Sequence, residues 1–148
     1  MVHNDMLEAR EIMFSEINRA WNDICDMLLG VPKIIFWPNT ANEEHPSDDV
    51  WARCSVMHNR EQGNITLADE SGKKIWDRNG ILTLQIFVPI LMQNYYNICE
   101  NLAVYVRNSF ESSKSCVTYR RPSVIEIGKD SGFYNFNFVT NFSYSNVK

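Results

Sequence analysis

The sequence predicts an α+β domain: a mixed, mainly antiparallel β-sheet with two helices on one face, in the order α-β-β-β-α-β-β. Three observations carry this. Two stretches place apolar residues at steps of three and four, as one helix face requires. Several others alternate apolar and polar residues with period two, as half-buried strands do. The helical patterns are separated by strand patterns rather than grouped, and no Gly/Ser-rich linker divides the 148 residues, so a single domain over 1–148 is expected.

The first helix is expected from Asp5, a capping residue with Glu8 three positions on. Met13, Ile17, Ala20, Ile24 and Met27 form its apolar stripe, Gly30 is a stop signal, and Pro32 follows. Lys33 to Trp37 reads as a short edge strand closed by Pro38. After a polar, acidic passage, Val50, Ala52, Cys54 and Val56 alternate with Trp51, Arg53, Ser55 and Met57, a strand with its smaller residues inward. The segment from Asn59 to Asn79 is rich in charges and turn formers and reads as a long hairpin arm.

In "ILTLQIFVP", Leu82, Leu84, Ile86 and Val88 share one face, and Ile81 and Phe87 the other. A second helix begins near Asn94, with Tyr95, Ile98, Leu102, Val106 and Phe110 as its stripe and Cys99 and Ala103 between. Two strands close the chain, "PSVIEIGKD" and "GFYNFNFVTNFSY", joined by the tight Asp130-Ser131-Gly132 turn. In the last strand Tyr134, Phe136, Phe138, Phe142 and Tyr144 define a buried face, and Asn135, Asn137, Asn141 and Ser143 a wet one.

Composition narrows the function classes. A net charge of -4 gives no general basic footprint for nucleic acid, and the Arg120-Arg121 pair reads as a solvated turn between strands. The start "MVHNDMLEAR" lacks the basic-then-apolar pattern of an export signal, and "ILTLQIFVPILM" falls short of the ~20 residues that span a bilayer, so a cytosolic product without a membrane partner is expected. Cys25, Cys54, Cys99 and Cys116 show no CxxC spacing and read as reduced, mostly buried thiols.

Chemistry finds little support. Cys54 and His58 share a strand face, but a cysteine in an inward row reads as core. Glu43, Glu44, Asp48 and Asp49, with His45 beside them, lack the alternating acids and central glycine of a calcium loop and read as a solvated connection. No phosphate-loop, dinucleotide, zinc-protease or hydrolase-elbow motif occurs. No catalytic residue, cofactor or metal site is expected. Apolar surface is more informative: Trp37, Trp51 and Trp76, with Arg53 and Arg78 nearby and Ile81 and Phe87 facing outward, are candidate contacts for a second copy or a partner.

The "WPN" at Trp37-Pro38-Asn39, the "VWARCSV" strand and "NGILTLQIFVP" running into a helix resemble the tail terminator proteins of long-tailed bacteriophages. The similarity covers most of the chain. It implies a structural subunit, not an enzyme, that closes into a ring, typically a hexamer, on the last disc of the tail tube. Implied partners are the tube protein and the neck and head-completion proteins, with DNA only passing through the lumen. The expected location is the virion, after assembly in the host cytoplasm. The rival readings are another neck component, such as a stopper, and a small cytosolic ligand-binding domain or enzyme.

Overall fold

The computed structural model describes residues 6–28, 31–38, 46–59, 65–68 and 74–147. The proposed capping residue Asp5, the stop at Gly30 and the loop residues Glu43, Glu44 and His45 lie outside the described residues. The elements are α1 (Met6–Met27), β1 (Ile35–Phe36), β2 (Trp51–His58), β3 (Ile65–Ala68), β4 (Lys74–Pro89), α2 (Tyr95–Glu111), β5 (Thr118–Asp130) and β6 (Phe133–Val147).

The sheet runs β1-β2-β4-β6-β5, with β3 pairing beside β4 off that path. Among the described residues only β1 and β2 pair in parallel; β2, β3 and β6 each run antiparallel to β4, and β5 to β6. The five strands of the main path follow the expected order, and the fold class is the expected one. The arm adds β3, and β4 begins at Lys74, so the base of the arm and the following strand are one extended element of 16 residues.

The core lies between the two helices and one sheet face. Leu82, Leu84, Ile86 and Val88 are fully buried, joined by Val50, Ala52 and Cys54 from β2 and by Phe136, Phe138, Phe142 and Tyr144 from β6. From α2 come Cys99, Leu102, Ala103, Val106 and Phe110. The α1 stripe is broader than the sequence pattern suggests: Ala9, Trp21 and Cys25 are buried beside Met13, Ile17, Ala20 and Ile24. Met27 was expected inside, but it is exposed at the last position of the helix. The apolar side continues instead through Cys25 to the partly buried Leu28.

Gly80 permits a close approach in the sheet. A Cβ there would lie 2.2 Å from the Met57 carbonyl oxygen and 2.6 Å from Cζ of Phe142. The Phe142 ring therefore occupies the space a side chain would take, and only glycine fits. At the β5–β6 hairpin, Ser131 and Gly132 have φ of 51° and 86°. Positive φ at both central residues suits the twist of a two-residue hairpin.

Candidate functional site

The sheet face turned away from the helices carries the candidate site. Strand pairing sets its side chains in rows across β2, β4 and β6, because residues directly opposite point to the same face. Trp51 stands opposite Phe87, which stands opposite Asn135. The next row is Arg53, Gln85, Asn137 and Ile125, and a later one is Met57, Ile81, Asn141 and Arg120.

The first row is aromatic. Trp51 stacks on Phe87 with ring centroids 4.1 Å apart and planes 13° from parallel. Phe36 of β1 meets Trp51 edge-on at 5.5 Å and Phe133 does so at 5.8 Å. The Arg53 guanidinium lies 5.2 Å from the Trp51 ring centroid, a cation–π contact. Trp51 is thus only 3% exposed although it faces away from the core. Within one chain it is a packing residue, and Arg53 and Phe87 are its cover.

Beside this cluster lies a groove of about 450 Å³, lined by Arg53, Gln85, Phe87, Ile127, Asn135 and Asn137, among others. Asn135 corrects the sequence reading, which placed it on a wet face: it is 4% exposed. The Oδ1 atoms of Asn135 and Asn137 are shielded from water and accept no hydrogen bond within the described residues. A buried acceptor left unmade costs about 1–3 kcal/mol. Both oxygens can be satisfied by N–H or O–H donors entering the groove.

Further along the same face several apolar side chains are exposed. Met57 is 71% exposed and Ile81, directly opposite, 40%, while Ile125 and Ile127 on β5 are 47% and 56% exposed. Ile81 and Phe87 thus face outward as expected. Trp37 goes elsewhere: it is half-buried, packed on the core, with its ring 4.9 Å from that of Phe14 in α1. Trp76 sits on β4 opposite Ile65 and Asn146, and its side chain lies outside what the structure describes. Arg78 is half-buried on β4 opposite Tyr144.

The Cys54–His58 pair has another arrangement than a nucleophile and its base. Burial pushes the Cys54 thiol up to about 12, so no thiolate forms near neutrality. His58 instead places Nε2 2.8 Å from the Tyr144 hydroxyl. Desolvation, then the charges of Arg10 and Arg78, hold its imidazole below the ordinary histidine range. Asp48 and Asp49 of the acidic passage are exposed. Among the described residues no group of three potential metal ligands comes together, and no helix is long and apolar enough to cross a membrane.

The structure also makes a polar junction that the sequence did not suggest. Glu16 of α1 accepts hydrogen bonds from Ser113, just past α2, and from Tyr119 of β5 at 3.0 Å. It ties both helices to the sheet edge. Its partners are 97 and 103 residues away, so no local pattern could reveal it.

No family model matches the sequence, and no characterised protein matches it in a sequence search. A solved structure of a protein without a functional name superposes with a TM-score of 0.57 at 13% identity, covering 94% of this chain and 95% of that one. That likeness concerns the fold alone.

Proposed function

We propose that the protein is a structural subunit that assembles with copies of itself through the outer sheet face, as a tail-terminator-like ring of a long-tailed phage. The observation that carries this reading is the composition of that face. Met57, Ile81, Ile125 and Ile127 are exposed on it, and two buried amide oxygens beside them await donors. Residues of this kind, with an arginine at the rim, suit a protein contact better than bulk water.

The sequence resemblance supplies the particular assembly. A contact between two different patches that rotates and closes makes a ring, typically a hexamer, and a ring with unlike faces ends an open stack. One face would meet the tail-tube protein and the other the neck and head-completion proteins, with DNA passing through the lumen and the protein resident in the virion. No covalent step is needed. The test is co-sedimentation of the purified chain with polymerising tail-tube protein. Capped, shortened tubes carrying the chain at one end support the reading, and tubes of unaltered length without it overturn it.

A further inference from the structure

The end of the outer face opposite the aromatic cluster is built differently. The sequence reading placed Arg120 and Arg121 in a solvated turn, but both lie within β5. The register there jumps from Arg120 opposite Asn141 to Ser123 opposite Val139, so three steps on β5 span two on β6. This is a β-bulge, and Arg121 carries it with a φ of 53°, the left-handed region that non-glycine residues occupy at a cost of about 1–2 kcal/mol.

The bulge is pinned on both sides. The buried Thr140 donates its hydroxyl to the Arg120 carbonyl at 3.1 Å. Ser123 donates to the Arg121 carbonyl at 3.2 Å. Strict alternation would send consecutive side chains to opposite faces. With the extra residue, Arg120 and Arg121 instead line one cleft of about 320 Å³, together with Asn59, Asn79, Asn141 and Ser143. A second cleft of about 580 Å³ shares Asn79, Arg120 and Ser143 with it and adds Arg78.

The described side chains that line the two clefts include no carboxylate. Neither Arg120 nor Arg121 has an ion pair or a side-chain hydrogen bond among them. Arg120 and Arg121 thus share one cleft, with Arg78 from the core-facing row at the edge of the neighbouring one, in a chain whose net charge is -4. We infer that this bulged corner is a binding site for a phosphate oxyanion. Guanidinium forks donate in pairs to phosphate oxygens. Asn59 Nδ2 donates to Asn79 Oδ1 at 2.6 Å, and the amide N–H groups of Asn79 and Asn141 with the Ser143 hydroxyl supply further donors around the arginines. The strained bulge is what sets two forks side by side, where an unbulged strand would offer one.

Nucleic-acid backbone and free phosphate share this chemistry, and two probes separate them. Fluorescence anisotropy of a short duplex DNA of mixed sequence, titrated with the full chain over a salt series, reads the polymer. Chemical-shift changes on adding inorganic phosphate read the free ion. The expected result is duplex binding that weakens with salt, and a drop of about tenfold or more in the R120Q/R121Q double variant, whose log–log salt slope falls by about 2. Shifts at Arg120 and Arg121 with phosphate, without duplex binding, assign the site to a free phosphate. Arg121→Gly keeps the bulge in a conformation glycine accepts, and it should weaken binding while the fold is retained. Absence of both responses in the wild type, or unchanged binding by the double variant, overturns the assignment. The result is independent of ring formation, since a monomer that binds phosphate upholds the site.

Discussion

Trp51 and Phe87 face each other directly across the β2–β4 ladder and stack at 4.1 Å on the side of the sheet turned away from α1 and α2. The pair gives the outer face a small core of its own, closed by Phe36, Phe133 and Arg53. Truncating it therefore damages the single chain before it damages any assembly. Trp51→Ala should cost about 3–5 kcal/mol in urea unfolding. Arg53→Ala, which removes exposed cover, should cost about 1 kcal/mol or less. Equal losses in the two variants would contradict this division.

Assembly is better tested at residues that are exposed in the single chain. Ile81→Lys alters a position 40% open to water, so unfolding free energy should move by no more than about 0.5 kcal/mol. Self-association, followed by sedimentation velocity, should weaken on the order of tenfold, as for a charge placed in an apolar contact. An unchanged association profile would remove Ile81 from the interface.

Gly80→Ala drives a methyl group into the Met57 carbonyl and the Phe142 ring. The backbone cannot yield as a flexible side chain could, so a loss of about 2–3 kcal/mol is expected in chemical denaturation. Gly80→Ala with Phe142→Leu should recover part of it. A variant as stable as the wild type would show that the two strands part easily here.

Thiol accessibility divides the cysteines. Cys25, Cys54 and Cys99 are buried and Cys116 is exposed. Native protein should titrate one thiol rapidly with an aromatic disulfide reagent, and unfolded protein four. Burial pushes the three inner thiols up to about 12, against about 8.5 in an unfolded chain. Because the folded values are raised, the unfolded chain loses protons first as pH rises. Stability should thus hold below about pH 8.5 and fall progressively above it.

His58 acts with the opposite sign. Its imidazole sits below the ordinary range, mainly through desolvation, so the unfolded state binds the proton more readily. Its contribution is present above about pH 6.5 and is lost as pH falls below that value. Urea midpoints should decline between about pH 7 and pH 5, and His58→Gln should flatten the decline. An identical pH dependence in the variant would assign the effect to other groups.

The sequence made the alternation legible and the contacts that modify it illegible. Period two placed Trp51 and Phe87 on one outward row, and the structure keeps them there. The burial of Trp51 depends on Phe36 and Phe133, which arrive from a parallel edge strand and a distant hairpin. Asn135 likewise reads as solvent-facing by alternation but lies under the rim of a groove.

Arg120-Arg121 gave a turn signal of two charges before a proline. The bulge that holds them in a strand is set by Thr140 and Ser123, one of them from the opposite strand. Met27 kept the helical spacing yet lost its cover because α1 ends there. In each case the local pattern is real, and what lies beyond it, a contact from afar or the end of the element, decides its outcome.

The central claim is that this chain assembles through its outer sheet face, and native mass spectrometry of the purified protein tests it most directly. The series should span concentration and be repeated with tail-tube protein present. A species near six times 17.2 kDa, about 103 kDa, that Ile81→Lys shifts to higher concentration is the result predicted. A 17.2 kDa monomer at every concentration, with and without tube protein, would contradict the account.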